Sequence, residues 1–215
     1  VVAPWMRGYA PTSVPGDGVY MTAALGRDAL ALIEALGYEE AVLLGHDWGS
    51  TAATAAACLA PDRVRRLVFA SVPYGQTMLQ ALVGDYDQQK RSWYMFFFQT
   101  ALAELALPRD DFAFVERLWR DWSPGWSPDP EALGAIRATL AKPGVLQASL
   151  GYYRSAIGGE GMNEQYAQIQ AGLGGPIEVP ALYLHGRDDG CIGVELARDM
   201  EPLFPAGLRT EIIDG

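Results

Sequence analysis

The chain has 215 residues, of which 50% are hydrophobic and 20% are charged, the composition of an ordinary globular protein with a substantial core. Its formal net charge of −10 argues against a nucleic-acid or anionic-membrane surface, because both need clustered Lys and Arg. No apolar run reaches the roughly 18 residues of a transmembrane helix, and two cysteines are too few for a disulfide framework. We expect a cytoplasmic protein with no nucleic-acid or membrane partner, and these features do not predict its oligomeric state.

The first third of the chain alternates between strand-like and helix-like segments. Buried strands are predicted from short apolar runs, and helices from apolar residues spaced three and four apart. In chain order these segments are a strand at 1–5, a helix at 20–36 closed by Gly37, a strand at 40–44, an Ala-rich helix at 50–59 and a strand at 66–71. Such alternation is typical of a parallel sheet with helical crossovers, so the predicted fold class is α/β.

A long helical stretch then interrupts the alternation. Between about Tyr74 and Gly161 no convincing strand is found, and aromatic side chains such as Trp93, Phe97 and Tyr152 are concentrated there. A helical insertion in an α/β sheet is typical of a lid over an active site, and aromatic residues favour an apolar pocket. The sequence therefore predicts a helical cap.

Strand signals resume after the insertion. The remaining predicted elements are a strand at 179–185, a helix at 194–203 and a strand at 208–213. Three segments are therefore expected, namely an α/β core at 1–73, a helical cap at 74–161 and the second part of the core at 162–215.

The most informative motif is Gly45-His46-Asp47-Trp48-Gly49, where a buried strand turns into an Ala-rich helix. Small residues two positions to either side of Asp47 suit a nucleophile elbow, a tight strand–turn–helix junction where only small residues fit. A carboxylate at the apex can displace at a saturated carbon and leave a covalent ester. A competing interpretation is that Asp47 only caps the helix, and the strand and helix around it favour catalysis.

A second carboxylate and two histidines complete the candidate residues. Asp189 follows a predicted strand in a Gly-x-x-Asp pattern, at the carboxyl edge of the sheet where α/β active sites lie, whereas Asp188 is interpreted as a polar loop residue. Hydrolysis of an ester on Asp47 needs a general base, usually a histidine. His46 should point away from its neighbour Asp47, and His185, at the end of a buried strand, is expected to be a satisfied core residue. Neither is a good candidate for the base.

Three features together resemble the α/β-hydrolase fold, and specifically its epoxide hydrolase type. They are the elbow at Asp47, the loop that carries Asp189, and a predicted sheet interrupted by a helical insertion. The resemblance covers essentially the whole chain, and residues 45–49 match the family's nucleophile motif residue for residue. It implies a mainly parallel sheet flanked by helices, with the cap inserted after the third strand of this chain. Asp47 is implied as the nucleophile and Asp189 as the acid that orients the base. One departure is that the Pro usually found shortly after the Gln at Gln99 is missing.

The same resemblance assigns roles to further residues. Tyr94 and Tyr153 match the lid tyrosines that donate hydrogen bonds to the epoxide oxygen, and Tyr152 is the neighbour that could be confused with Tyr153. The backbone N–H of Trp48 is implied as one donor of the oxyanion hole. No metal or organic cofactor is expected. The residues expected to contact a small apolar epoxide or haloalkane are Trp48, Trp93, Phe97 and Tyr152.

Three alternatives stay open. Haloalkane dehalogenation uses the same Asp elbow and ester, with the Trp48 indole N–H helping to hold the departing halide. Tyr94 and Tyr153 favour the epoxide, because a halide needs no proton. A fluoroacetate-type dehalogenase is less favoured, since those enzymes carry Arg where Trp48 stands. A non-catalytic binding module is the interpretation from a different class.

The two ends of the chain carry a further expectation. The sequence starts at Val1 inside an apolar run and ends at Gly215 directly after a strand-like run. We expect a segment that lacks N-terminal strands, the His-Gly-x-Pro oxyanion loop and a catalytic histidine placed just beyond Gly215. Such a segment is expected to fold poorly and to be inactive by itself, because unpaired backbone inside a parallel sheet is costly. The complete protein is expected to be active.

Overall fold

The structure, a computed structural model, describes residues 1–214. The strands in this part of the chain are β1 (Ala41–His46), β2 (Val64–Ala70), β3 (Ala181–Gly186) and β4 (Leu208–Ile213). The α-helices are α1 (Thr22–Ala35), α2 (Trp48–Leu59), α3 (Thr77–Gly84), α4 (Tyr86–Arg91), α5 (Trp93–Phe97), α6 (Ala101–Ala106), α7 (Ala113–Trp122), α8 (Pro130–Leu140), α9 (Val145–Tyr153) and α10 (Glu164–Ala171). Short 3₁₀ turns lie at Pro61–Arg63, Val194–Leu196 and Glu201–Leu203, and a π-helical turn lies at Arg154–Gly158.

The strands form a parallel sheet in the order β1–β2–β3–β4. In the middle of the sheet Phe69 of β2 is in register with Tyr183 of β3. This arrangement confirms the predicted α/β class. Parallel strands end at the same edge of a sheet, so Asp47 after β1 and Asp189 after β3 both lie along its carboxyl edge.

The described residues form two compact units. The helical unit consists of Val1–Met21 and Ser92–Asn163, and the sheet unit consists of Thr22–Arg91 and Glu164–Gly215. The sheet unit contains the four strands with α1–α4 and α10, while the helical unit contains α5–α9. The predicted cap boundaries at 74 and 161 stay a prediction.

One face of the sheet carries the core of the sheet unit. Side chains alternate between the two faces along a strand, so Leu67 and Phe69 of β2 point to the same side as Tyr183 of β3. Ala53 and Ala57 of α2 belong to the same buried cluster. Because these helical side chains are only methyl groups, α2 can lie close to the strands that it covers.

The opposite face of the sheet is open along β1. Val42 and Leu44 alternate with the half-buried Leu43 and are 47% and 75% exposed. Ile213, at the end of β4 and on the same face by register, is 51% exposed. β1 is an edge strand of the described sheet and has a neighbouring strand on one side only. Exposed apolar side chains and backbone groups without a strand partner therefore occur together on β1.

Aromatic packing holds the helical unit together. Tyr152 of α9 is fully buried, and its ring centroid lies 5.6 Å from that of Tyr9 and 5.1 Å from that of Tyr20. Its hydroxyl donates to the carbonyl of Arg7 at 2.7 Å. Directly after α9 the chain widens into the π-helical turn, an irregularity that is frequent at functional sites.

The predicted strand at residues 1–5 is wrong. No described strand pairs with this segment, its side chains at Val2 and Trp5 are exposed, and the Trp5 carbonyl accepts a hydrogen bond from Thr12 Oγ1 at 2.7 Å. Pro4 has no N–H to donate, and an apolar run forms a strand only where a neighbour completes its hydrogen bonds. Because this strand is missing, the long helical stretch follows β2, which is the second strand of the described chain and not the third as predicted.

The predicted helix at 194–203 is also wrong, because the structure has two separate 3₁₀ turns there. Asp199, between the turns, has a φ of 61°, and Pro202 has no N–H with which to continue a helix. The other predicted helices and strands of the two core segments are confirmed with slightly shifted ends. None of the described helices combines the length and apolarity needed to cross a membrane.

Candidate active site

Asp47 stands at the apex of the junction between β1 and α2. Its backbone has φ 54° and ψ −123°, a conformation that a residue other than glycine adopts only when its surroundings enforce it. The Asp47 carbonyl accepts hydrogen bonds from the N–H of Ser50 at 2.9 Å and of Thr51 at 3.2 Å, which start the helix. The chain therefore reverses sharply at Asp47, as a nucleophile elbow requires.

The carboxylate of Asp47 does not make the usual capping bond. Its Oδ1 accepts from the N–H of Trp48, the first residue of α2, at 2.5 Å. A capping side chain instead bonds the N–H of the second or third helical residue. Asp47 thus occupies the N-cap position, but its carboxylate is turned towards the N–H of its immediate neighbour.

Close backbone approach makes glycine necessary at position 45. A Cβ on Gly45 would overlap the backbone of Gly49 and Ser50. A Cβ on Gly49 would meet nothing within 4 Å. The expectation that only small residues fit is therefore confirmed at Gly45 and wrong at Gly49, where the glycine's own backbone is the group that approaches closely.

Ser50 ties the elbow to the neighbouring strand, a role that the sequence did not predict. The side chain is 1% exposed, and its hydroxyl lies 3.0 Å from the carbonyl of Gly45 and 2.7 Å from that of Ala70. The same hydroxyl accepts from the N–H of Ala70 at 2.9 Å. The ends of β1 and β2 are therefore held at one side chain, and the only sequence signal was a hydroxyl directly after the elbow glycine.

Burial raises the pKa of Asp47, because a carboxylate withdrawn from water favours its neutral form. The N–H of Trp48 and the charge on His46 act in the opposite direction, and the negative charge of Asp189 raises the pKa further. The net effect is upward. The influence of Asp189 also indicates that the two predicted carboxylates share one electrostatic environment.

Asp189 lies in the loop that follows β3. Its Oδ1 accepts from the N–H groups of Cys191 at 2.8 Å and of Ile192 at 2.9 Å. One carboxylate oxygen therefore holds the loop, and neither of these bonds uses Oδ2, which lies 3.9 Å from Nε2 of His185. Asp188 is exposed, in agreement with its interpretation as a polar loop residue. Among residues 1–214 no group of three or more His, Cys, Asp or Glu side chains is placed to hold a metal ion.

His185 is not placed as a free general base. His185 is 1% exposed, with Nδ1 at 2.6 Å from the Tyr183 hydroxyl and Nε2 at 3.0 Å from the Ile192 carbonyl. These bonds confirm the prediction of a satisfied core residue. Burial raises the pKa of Tyr183, and the charge of Asp189 adds to the increase. His46 is exposed at the end of β1.

In the helical unit the two predicted lid tyrosines lie side by side. The ring centroids of Tyr94 on α5 and Tyr153 on α9 are 5.7 Å apart, and the planes meet at 82°. Phe98 packs against both rings. Tyr94 is buried and Tyr153 is half-buried. Two phenol side chains that are far apart in sequence are thus neighbours, as a paired hydrogen-bond donor requires.

Gln99 and Arg154 join the segments that carry these tyrosines. Gln99 Nε2 donates to the carbonyl of Tyr153 at 3.1 Å. Arg154 Nε donates to the carbonyl of Phe98 at 3.0 Å, and its guanidinium pairs with Glu104 at 2.8 Å. Gln99 and Arg154 therefore have a structural role, because both hold the ends of α5 and α9 together.

The remaining predicted substrate contacts in the helical unit have different surroundings. Trp93 is 45% exposed, and its ring centroid lies 6.1 Å from that of the half-buried Phe97. Tyr152 is fully buried and its hydroxyl is bonded to the Arg7 carbonyl. The surroundings of Tyr152 favour a packing role, so Tyr153 is the better candidate for a lid tyrosine.

A parallel sheet that presents a side chain on a strand–helix elbow, with a second carboxylate along the same edge, is the framework of hydrolytic α/β proteins. Comparison with known families agrees with this class. The chain belongs to the alpha/beta hydrolase fold family, whose model matches residues 1–215.

Several curated relatives are named epoxide hydrolases. The chain is 28% identical to epoxide hydrolase 1 of Caenorhabditis elegans over 213 residues, which cover 96% of this chain and 50% of that protein. It is 32% identical to epoxide hydrolase 3 of Mus musculus over 162 residues, which cover 73% of this chain and 44% of that protein. The chain spans about half the length of these curated relatives.

Solved structures share the fold. Epoxide hydrolase A from Mycobacterium thermoresistibile superposes with a TM-score of 0.76 at 25% identity, covering 99% of this chain and 74% of that chain. The Bacillus megaterium epoxide hydrolase in complex with an inhibitor also has a TM-score of 0.76, at 23% identity, covering 97% and 73% of the two chains. At 23% identity, the similarity to the Bacillus megaterium structure shows a common fold only.

Proposed function

We propose that the full-length protein opens an epoxide to a vicinal diol through a covalent ester on Asp47. The observation that carries the proposal is the carboxylate at the apex of the elbow, held there with a φ of 54°. Similarity to proteins named epoxide hydrolases supports an epoxide as the substrate class. The aromatic side chains of the helical unit favour a small apolar substrate. A cytoplasmic location is part of the same proposal.

In the first proposed step, a carboxylate oxygen of Asp47 attacks an epoxide carbon, and the bond from that carbon to the ring oxygen breaks. The released alkoxide takes a proton from Tyr94 or Tyr153, whose hydroxyls bond the oxygen as the ring opens. Without such donors the alkoxide would be a poor leaving group. The adjacency of the two rings supports a paired donor.

The N–H of Trp48 supports Oδ2 as the attacking oxygen of Asp47. It bonds Oδ1 at 2.5 Å, so Oδ2 is the oxygen left to form the new bond. Oδ1 then becomes the carbonyl oxygen of the ester. Negative charge develops on Oδ1 when water adds to the ester, and the Trp48 N–H is already in place as an oxyanion donor.

In the second proposed step, a general base activates the water that hydrolyses the ester. We assign this role to a histidine oriented by Asp189, and His185 is not that histidine, since both of its ring nitrogens are bonded in the core. Water adds to the carbonyl carbon of the Asp47 ester and the ester C–O bond breaks. The departing diol oxygen takes the proton that the base removed from water. The Asp47 carboxylic acid then gives up its proton to the tyrosinate left by the first step, which restores both the carboxylate and the phenol.

Haloalkane dehalogenation is the second candidate, because it would form the same ester on Asp47. A halide leaves without a proton, so that reaction gives Tyr94 and Tyr153 no role. The two reactions therefore differ in their products and in their need for acid, which makes them separable by experiment.

The test is incubation of the full-length protein with styrene oxide and, separately, with a chloroalkane. We expect diol from the wild type, no diol from Asp47→Asn, and wild-type activity from the control Asp188→Asn, which changes an exposed carboxylate. In a single turnover in heavy-oxygen water, the oxygen added to the substrate should come from the carboxylate of Asp47. Halide release from the chloroalkane without diol formation from styrene oxide would contradict the epoxide proposal. An Asp47→Asn variant that forms diol at the wild-type rate would contradict the role of Asp47.

A further inference from the structure

Gln88 of α4 reaches the acid loop, defined as residues 189–193, although about a hundred positions of sequence separate them. The side chain is 0% exposed. Its Nε2 donates to the carbonyl of Cys191 at 2.9 Å, and its Oε1 accepts from the N–H of Gly193 at 3.0 Å. One buried amide therefore bonds both an acceptor and a donor of the loop backbone, which fixes the orientation of the amide.

Two further side chains bond the rest of the loop backbone. Asp189 Oδ1 accepts from the N–H groups of Cys191 and Ile192, and the His185 ring bonds the carbonyl of Ile192. From the N–H of Cys191 to the N–H of Gly193, every backbone polar group thus has a side-chain partner. A loop held in this way has little freedom to turn, and the direction of the Asp189 carboxylate is set with it.

Gln88 is itself held in place. Asp85 Oδ1 accepts from the N–H of Gln88 at 3.1 Å at the start of α4. At the other end of α4, Arg91 pairs with Glu195 at 3.3 Å, and this pair occupies the space that a Cβ on Gly193 would need. The acid loop therefore rests on α4 at two places, and Gln88 is the buried one.

We propose that Gln88 is a positioning residue for the acid of the reaction, holding the acid loop so that Oδ2 of Asp189 keeps its direction towards the base. This inference rests on the proposed function. Because Oδ1 is used by the loop, a loop that turns also turns Oδ2, and a misplacement of about 1 Å can cost on the order of 10²-fold in rate. Asp189 acts only in the second step. Loss of Gln88 therefore slows hydrolysis of the ester and spares its formation on Asp47.

The experiment separates the two steps in the full-length protein with styrene oxide. Rapid quenching followed by mass spectrometry of the peptide that contains Asp47 gives the rates of ester formation and ester hydrolysis. Gln88→Met removes both loop bonds, and Gln88→Glu keeps the size and the acceptor but sets a carboxylate oxygen against the Cys191 carbonyl. Gln89→Met is the matched control, because Gln89 bonds the carbonyls of Leu82 and Val83 instead of the loop.

Both Gln88 variants should hydrolyse the ester at least about tenfold more slowly, with ester formation within about twofold of wild type and with visible accumulation of the ester. Gln89→Met should match the wild type in both steps. Equal loss in the two steps, or unchanged hydrolysis in a folded Gln88→Glu variant, would overturn the positioning role. Asp189→Asn should let the ester accumulate, because Asp189 acts only in its hydrolysis. If neither this variant nor the wild type forms an ester on Asp47, the proposed function is wrong, and so is the role of Gln88 that rests on it.

Discussion

At the residue scale, Asp47 combines two features that oppose stability. A non-glycine residue with φ 54° and ψ −123° costs on the order of 1–3 kcal/mol, and burial raises the pKa of the carboxyl group because it disfavours the charged form. Such costs persist where the surrounding structure enforces them, and they concentrate at functional sites. Asp47 therefore has a physical profile that suits catalysis better than helix capping.

The first prediction is that Asp47→Asn stabilises the full-length protein at neutral pH. The folded state raises the pKa of Asp47 above its unfolded value of about 3.9, so the ionised carboxylate lowers stability. This cost is absent below about pH 3.9, grows as the pH rises and is complete above the folded pKa. We expect a gain in unfolding free energy of about 0.5–2 kcal/mol at pH 7, and little gain near pH 4.

Urea denaturation at the two pH values measures this difference. Asp188→Asn is the control. Asp188 is an exposed carboxylate directly before Asp189, so its replacement should give no gain in stability at pH 7. A stability gain for Asp47→Asn that is as large at pH 4 as at pH 7 would contradict the electrostatic origin and indicate relief of backbone strain instead.

The residues that sequence could identify are those whose roles depend on local geometry. Gly45 and Asp47 belong to one turn, and their pattern alone indicated an elbow that the backbone angles and the close approach at Gly45 confirm. Ser50 and Gln88 were missed, since their partners lie on other strands and loops. No spacing along the chain marks a hydroxyl or an amide as buried and bonded, so only the folded structure could identify them.

At the element scale, elements marked by local signals were again predicted correctly, as α1 was. The predicted strand at 1–5 and the predicted helix at 194–203 were wrong. The end of α1 was predicted from Gly37, which has φ 78°, while the N–H of Tyr38 bonds the carbonyl of Ile33 at 3.1 Å, the pattern of a Schellman motif. That signal is local. The apolar run at residues 1–5 needed a partner strand that the described structure does not supply, and Asp199 adopts a positive φ that apolar periodicity does not reveal.

The second prediction concerns two glycines within helices. A Cβ on Gly26 of α1 would lie 2.8 Å from the Cβ of Ala55 and 3.0 Å from its backbone, so α1 and α2 would have to separate. Overpacking costs typically 1–3 kcal/mol, which exceeds the gain in helix propensity of about 1 kcal/mol. Gly134 of α8 has nothing within 4 Å of its Cβ position. Gly26→Ala should therefore lower the melting temperature and Gly134→Ala should raise it.

Calorimetry of the two variants beside the wild type checks this prediction, since both carry the same substitution in a helix interior. If both raised the melting temperature, helix propensity would outweigh packing, and the close approach of α1 to α2 would not limit the side chain at position 26.

At the scale of the whole molecule, the two faces of the sheet differ in a way that composition alone did not show. A chain with 50% hydrophobic residues can bury a large core, and one face does so through α2. Along β1 the other face leaves Leu44 75% exposed on an edge strand. The sequence indicated a strand there but could not indicate which of its faces is covered, because coverage depends on helices that pack from elsewhere in the chain.

The last prediction is that residues 1–215, expressed alone, self-associate through β1. An apolar edge strand favours pairing with a second copy, and a charge on it opposes pairing. Leu44→Lys should therefore weaken self-association several-fold in sedimentation velocity. Leu105→Lys is the matched control, because Leu105 is 71% exposed on α6 and the substitution changes the net charge equally. An equal effect of both variants would attribute the change to net charge, and no effect of Leu44→Lys would exclude β1 as the surface of association.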